Sequence, residues 1–279
     1  MENIVTVLLL TYNHAPYIER CIKSILEQKT DFSFQIWIAD DASTDGTSDI
    51  IRKYAARDVR ITPFIQKENT KLKHFAQRLM AINTEFFTII DGDDFWCDPE
   101  KLQLQVNALK KHTHCSMCAH NTLVYENNAP KKTLKKPLRF GRKEKEFNFW
   151  RAFYTHTSSR MYRTAILPKD DEEKMTFLVW DDAMRYWALD KGNMIYLNRI
   201  MSVYNMTGNG MFSSIPEKER TFESMRANMY LDQFFNGKYS EYFHKSYPYP
   251  HERYLFKLTL PYSRTARLLF AIKKYKTND

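Results

Sequence analysis

The sequence predicts an α/β protein, a mostly parallel twisted sheet flanked by helices. Three observations carry that prediction. β-rich apolar runs alternate with stretches of helical periodicity through the first half of the chain. The runs show no polar alternation, as expected of parallel strands covered on both faces. Acidic and polar residues follow them, at the strand ends where such sheets bind ligands.

Ile4 to Leu10 form the first run. Pro16 suits the first turn of a helix in which Ile18, Cys21, Ile22, Ile25 and Leu26 share one stripe and Glu19, Arg20 and Lys23 are left for water. Phe34 to Ala39 read as a second strand, after which Thr47 caps a helix with Ile50, Ile51, Tyr54 and Ala55 facing inward. Arg60 to Ile65 give a third strand, residues 74 to 83 a short helix, and Phe86 to Ile90 a fourth strand. Pro99 opens a helix with Leu102, Val106 and Leu109 on one stripe. Strands separated by helices imply right-handed crossovers.

At 279 residues, 43% hydrophobic and 15% aromatic, the chain can bury a full core, which excludes a disordered protein. Four cysteines do not make a disulfide framework, no run approaches a membrane span, and IVTVLLL follows Glu2 instead of a basic region. These features lead to the expectation of a reducing, cytoplasmic setting. The formal charge of +9 favours anionic partners, among them an anionic membrane surface.

Strand one ends in Thr11-Tyr12-Asn13, strand two in Asp40-Asp41 and strand four in Asp91-Gly92-Asp93-Asp94. Asp40 to Gly46 suit a tight turn and helix cap as well as a site. The aspartates at 91, 93 and 94 repel one another and are costly to bury, a conflict that a divalent cation with a phosphorylated ligand resolves. Oxygen ligands with no adjoining His or Cys select Mg2+ or Mn2+. A dinucleotide site fits poorly, because no G-x-G-x-x-G follows strand one, no P-loop is present and the chain has only seven glycines.

Together VTVLLLTYNHAPYIERCIKSILEQ, FQIWIADDASTDGTSDII and FFTIIDGDDFWCDPEKL resemble the three signature blocks of the family 2 glycosyltransferases, in order and in spacing, over residues 3 to 125. The resemblance implies a GT-A, Rossmann-like fold, a nucleotide-diphosphate-sugar donor with UDP-sugars favoured, Mn2+ or Mg2+, and inversion at the anomeric carbon. It places Thr11, Tyr12 and Asn13 at the base and ribose, and Asp41, aided by Asp40, on a uracil-like imide. Asp91 and Gly92 approach the ribose and metal, Asp93 is the main metal ligand and Asp94 supports it. Where the family shows N-x-G and then A-R-N, this chain has Asn69-Thr70-Lys71 and Phe75-Ala76-Gln77. Lys71 and Lys73 either bring charge to the diphosphate or are solvated surface lysines.

Inverting transfer needs a general base for the acceptor hydroxyl. Phe177 to Met184 again brings apolar residues to a carboxylate pair, ahead of a helix through Tyr186, Trp187 and Leu189. It resembles the family's E-D or G-D element, whose second residue is the base; Asp182 is therefore expected in that role, with Asp181 the alternative. A helix N-cap is compatible with either. NMIYLNRIMSVYNMTGNGMFS resembles a strand and loop in which relatives carry Y-R-x-H-x-x-G, the histidine lying near the metal. Thr207 stands there instead, so either water completes the coordination or the loop, with Asn205 and Asn209, serves the acceptor. His156 to Arg163 resembles a strand beside the acceptor cleft, which makes His156 a further acceptor-side candidate. His112, His114, Cys115, Cys118 and His120 contain a C-x-x-C, but strand alternation sends Cys115 and Cys118 to opposite faces, which argues against zinc. His120, near a strand end, is a possible contact.

The expected organisation is a catalytic domain over 1–215, with a nucleotide-sugar half at 1–125, a mobile basic loop at 127–146 and an acceptor half at 147–215. A helical, basic extension follows over 216–279. Its YLFKLTLPYSRTARLLFAIKKYK segment suits either an anionic bilayer surface or docking on the core. The acceptor expected is a glycan or lipid-linked hydroxyl, in cell-surface polysaccharide synthesis at the inner face of the membrane. Two other classes share some features. A sugar-phosphate nucleotidyltransferase would use the same metal logic but carry a glycine-rich phosphate loop where this chain has TYNHAPY. A nucleic-acid-binding protein would use the +9 charge, but an acidic cleft repels a phosphate backbone and no such motif is present, so no nucleic-acid partner is expected.

Overall fold

The computed structural model describes residues 2–70, 72–126, 129–134, 138, 143–179, 181–207 and 227–245, with backbone alone at 72, 181, 244 and 245. The chain divides into two compact units, Met1–Thr207 and Gly208–Asp279. Among the described residues no helix is long and apolar enough to cross a membrane.

In the first unit the strands are β1 Asn3–Thr11, β2 Ser33–Asp40, β3 Ile61–Ile65, β4 Phe86–Asp91, β5 Phe95–Trp96, β6 Cys115–Glu126, β7 Ala129–Thr133, β8 Glu144–Phe147, β9 Met161–Arg163 and β10 Asn193–Met206. The helices are α1 Ile18–Leu26, α2 Thr47–Ala55, α3 Leu72–Ala81, α4 Lys101–Lys111, α5 Glu172–Leu178 and α6 Asp181–Lys191. One mixed sheet runs β3-β2-β1-β4-β9-β6-β10-β5, with β7 on β6 and β8 on β10. β1, β2, β3 and β4 are parallel to one another, as are β6 and β10. Val7, Leu8 and Leu9 are all fully buried, which is why β1 lacks polar alternation. α1 lays Ile18, Cys21, Ile22 and Ile25 on the sheet, as its periodicity requires. β2 and β3 lie on one side of β1 and β4 on the other, so the strand order reverses there. The carboxyl ends of β1 and β4 are therefore the switch point of the sheet, where such folds take ligands.

Several local expectations are corrected. Thr47 is the first helical residue of α2, not its cap; Gly46, at φ 95°, turns the chain, and Asp45 Oδ1 accepts the Thr47 N–H at 3.0 Å. α1 begins at Ile18, past Pro16, and α3 begins at Leu72 instead of residue 74. The basic segment 127–146 is not simply a loop: it holds β7, antiparallel to β6, and β8, antiparallel to β10. Residues 129 to 132 are all exposed, so edge pairing through the backbone leaves no apolar signal to read. Phe177 and Leu178, the apolar residues ahead of the carboxylate pair, end a helix of their own, α5. Of His156 to Arg163 only β9 is strand; Thr157–Ser159 form a 3₁₀ turn. His120 lies inside the twelve-residue β6, away from its end.

In the second unit residues 227 to 234 and Ser240–Lys245 are helical. Asn236 and Gly237, at φ 50° and 76°, form the turn between them, with Gly237 N–H donating to the Asp232 carbonyl at 2.9 Å. Phe235 packs on Tyr239 and Phe243 with centroids 5.4 and 6.4 Å apart. Lys71, Asn209 and the basic segment 254–276 lie outside the described residues.

Candidate active site

The loops after β1 and β2 are knitted together. Asn13, at φ 55°, donates its N–H to Ser43 Oγ at 2.8 Å, and its Oδ1 accepts the Thr44 N–H at 2.8 Å. His14 N–H donates to Thr47 Oγ1 at 2.9 Å and Ala15 N–H to Asp45 Oδ2 at 2.9 Å. Asp40 is buried inside this loop, and its carboxylate accepts the Ser43 N–H and the hydroxyls of Ser43 and Ser48. Its geometry is that of a loop organiser. Asp41 is buried just past the end of β2; its N–H donates to the Thr11 carbonyl at 3.1 Å and its Oδ1 accepts the Thr70 N–H at 2.8 Å. Asn69 Nδ2 donates to the Asp41 carbonyl at 3.2 Å, so the segment that departs from the family pattern holds Asp41 in place. Tyr12 is 46% exposed just past the end of β1, and Lys73 is exposed on the first turn of α3.

At the end of β4, Gly92 N–H donates to the Leu10 carbonyl at 2.9 Å and locks the two strand ends together. A Cβ on Gly92 would lie 2.8 Å from both Thr11 Oγ1 and His14 Nδ1 and 3.0 Å from Ile18 Cδ1. Those two polar atoms are buried and have no hydrogen-bond partner among the described residues. Burial pushes the Asp93 carboxyl above its ordinary value, against the pull of His14, whose Nε2 lies 4.0 Å from Asp93 Oδ2. Asp94 faces inward instead: its Oδ1 accepts the Asn205 backbone N–H at 3.0 Å, and its Oδ2 lies 3.4 Å from His156 Nδ1. A half-buried, poorly solvated carboxylate, unpaired polar atoms beside it and a glycine that leaves room fit a small hard cation at Asp91 and Asp93. Gly92→Ala should displace Thr11 and His14, lower stability by about 1–3 kcal/mol in urea unfolding and weaken metal binding with it.

The turn at 157–159 links this rim to Asp182. His156 stacks on Tyr204 with centroids 4.3 Å apart, and its Nδ1 lies 2.9 Å from Ser158 Oγ. Buried donors grip the carbonyls that follow: Trp96 Nε1 that of Ser158 at 3.1 Å, Gln105 Nε2 that of Ser159 at 2.9 Å and Thr88 Oγ1 that of Arg160 at 2.6 Å. Lys101, fully buried and lowered to about 7 by that burial, donates to Gln105 Oε1 at 2.7 Å. Arg160 is fully buried, with Nη2 4.0 Å from Asp182 Oδ1; Arg185, one helical turn beyond Asp182, donates to the same oxygen from Nε and Nη2 at 3.2 Å each. The Asp182 side chain is 38% exposed at the start of α6. The side chain of Asp181 lies outside the described residues. Asn205 contributes its backbone to Asp94, and Thr207 is half-buried just beyond β10. His120 is fully buried, its Nδ1 2.7 Å from the Asn121 carbonyl.

Loss of solvent, with the Arg160 guanidinium adding to it, pushes His156 down to about 3 from an ordinary 6.5, and the ring is neutral. The unfolded chain therefore binds a proton below 6.5 that the folded chain refuses until near 3. The folded state keeps its full stability above 6.5 and loses about 1.4 kcal/mol per pH unit below it from this group. In urea unfolding between pH 4.5 and 7.5, His156→Gln should flatten the acid limb by that slope; an unchanged slope would rule out a neutral buried ring.

A different set, His114, Cys115 and Glu146, brings ligand atoms within 4.8 Å of one another. It could hold a metal ion, and it does not involve Cys118. β6 runs parallel to β4 and Cys115 begins it, so this set lies at the opposite edge of the sheet from Asp93. Burial and Glu146 raise the Cys115 thiol to about 12, which works against a thiolate ligand.

Sequence reading missed His14, Arg160, Arg185 and Tyr204. His14 adjoins the Thr11-Tyr12-Asn13 signature, which was the available signal. Arg160 and Tyr204 are brought in by tertiary contacts across long sequence separations.

The family model for glycosyl transferase family 2 matches residues 6–170. The chain belongs to that family. It is 28% identical over 225 residues to the uncharacterized protein Rv1520 of Mycobacterium tuberculosis, covering 80% of this chain and 64% of that one. Thus it spans less than two thirds of that relative's length. Staphylococcus aureus TarS 1-349, solved in complex with UDP-GlcNAc, superposes with a TM-score of 0.60 at 21% identity, covering 85% of this chain and 72% of the 1-349 chain. The mannosyltransferase PcManGT from Pyrobaculum calidifontis, solved with GDP-Man and Mn2+, has a TM-score of 0.56 at 18% identity, covering 99% and 81%. At these identities the likeness to solved structures establishes the fold, which is GT-A.

Proposed function

We propose that this family 2 protein is a metal-dependent, inverting glycosyltransferase that moves one sugar from a nucleotide-diphosphate-sugar to a hydroxyl of a glycan or lipid-linked acceptor, in cell-surface polysaccharide synthesis. The observation that carries the reading is one continuous structure: the costly Asp93 carboxylate at the carboxyl end of β4, joined through Asp94, His156 and the 157–159 turn to Asp182. Thr11, Tyr12, Asn13 and Asp41 bind the nucleoside, with Asp40 holding their loop and Lys73 at its margin. Asp91 and Asp93 hold Mn2+ or Mg2+, and Asp94 orients that pair from within. When bound, the cation supplies positive charge to the leaving diphosphate. Asp182 takes the proton of the acceptor hydroxyl as the new glycosidic bond forms, and Arg185 and Arg160 keep its carboxylate aimed. His156, Asn205 and Thr207 shape the acceptor side.

TarS and PcManGT were solved with uridine and guanosine donors respectively, so both must be tried. Wild-type protein should melt higher with Mn2+ plus the correct nucleotide sugar than with either alone, because a ligand held only by the folded state stabilises it. Turnover should release nucleoside diphosphate. Release of pyrophosphate would instead identify the nucleotidyltransferase alternative. Salt-sensitive nucleic-acid binding without any sugar-nucleotide binding would identify a binding protein.

A further inference from the structure

We propose that His14 is a third protein ligand of the rim cation beside Asp91 and Asp93, bonded through Nε2 and oriented by Thr11. The inference rests on the metal site of the proposed function and adds to it a nitrogen donor. His14 Nε2 lies 4.0 Å from Asp93 Oδ2. That is too long for a hydrogen bond, which ends near about 3.2 Å, but it is close to the separation of about 4.2 Å between opposite ligands in an octahedron with bonds of about 2.1 Å. A cation between the two groups would bond to both.

The ring is also held for this task. The His14 N–H is fixed by Thr47 Oγ1 at 2.9 Å, and its carbonyl accepts the Tyr17 and Ile18 N–H groups at 2.9 Å each. The imidazole fits against Gly92, where any side chain would collide with it. On its inner edge Nδ1 is buried without a partner among the described residues, and so is Thr11 Oγ1 on the same face of Gly92. Both atoms sit 2.8 Å from the point a Gly92 Cβ would occupy. One hydrogen bond from Nδ1–H to Thr11 Oγ1 would satisfy both, fix the tautomer and turn the Nε2 lone pair towards Asp93. Metal-bound histidines are commonly oriented through their other ring nitrogen in this way. An imidazole donor also favours Mn2+ over Mg2+, which prefers an all-oxygen shell.

The test uses the full chain and Mn2+ alone. Electron spin-echo modulation of the bound Mn2+ should show a directly coordinated nitrogen in the wild type. That signal should vanish in His14→Leu, whose Mn2+ Kd should rise about 10-fold or more while Mg2+ binding changes little. Thr11→Val keeps the shape and removes the hydroxyl; it should weaken Mn2+ about 10-fold, and it carries the test if His14→Leu fails to fold by circular dichroism. A wild-type complex that Asp93→Asn abolishes, but that shows no nitrogen coupling, overturns the His14 ligand and leaves the rim site standing. Nitrogen coupling that survives His14→Leu overturns it as well, and points to His114. A wild type that takes up no Mn2+ overturns both readings.

Discussion

Asp93→Asn should cut metal-dependent turnover by on the order of 10²–10³-fold or more, as expected when the main electrostatic support of a developing charge is removed. Substrate screening would show the loss as nucleoside diphosphate no longer released above background. The same substitution should stabilise the metal-free protein. Burial holds the Asp93 carboxyl above its unfolded value, so the folded state binds its proton the more tightly. Folding is favoured by this group below the unfolded value and loses that advantage as pH rises through the folded one. Near neutral pH the wild type therefore carries a poorly solvated charge that asparagine does not. In urea unfolding with chelator present, Asp93→Asn should be the more stable protein, and adding Mn2+ should reverse the order. Equal stabilities with and without Mn2+ would mean that the carboxylate is not held in reserve for a cation.

Asp182→Asn should lower kcat by about 10²–10⁴-fold, the range typical of a lost general base, while binding of the nucleotide and Mn2+ stays within about two-fold of wild type. Asparagine keeps an oxygen for Arg185, so the first turn of α6 should remain in place. The two variants thus separate the two halves of the reaction, Asp93→Asn losing the metal and Asp182→Asn losing only transfer. Full activity in Asp182→Asn, with loss in Asp181→Asn, would move the base to the alternative carboxylate.

The strands and helices of the nucleotide half were legible because both faces of β1 and β4 are buried, β2 carries an apolar run, and α1 repeats its apolar residues at helical spacing. The massing of Asp91, Asp93 and Asp94 at a strand end was legible for the same electrostatic reason that makes Asp93 costly to bury. Division of labour inside that cluster was not: only coordinates show Asp94 turned to Asn205 and His156 while Asp93 faces His14. Asp40 and Asp41 are neighbours in sequence, yet one braces a loop through Ser43 and Ser48 and the other meets Thr70. Edge strands β7 and β8 escaped notice because they are short and rich in lysine and glutamate, with no apolar alternation to read. The guanidiniums at Asp182 escaped for a different reason. Arg160 is fully buried, a placement that arginine composition never suggests, and its carbonyl is fixed from Thr88 on β4.

A crystal of the full chain soaked with Mn2+ and each of UDP and GDP gives the most direct measurement, read as anomalous scattering at the manganese edge. A peak within bonding distance of Asp93, shared with diphosphate oxygens and facing Asp182, is the expected result. No peak at the carboxyl ends of β1 and β4 with either nucleotide, and Asp93 instead bonded to protein groups, would contradict the metal-dependent transferase.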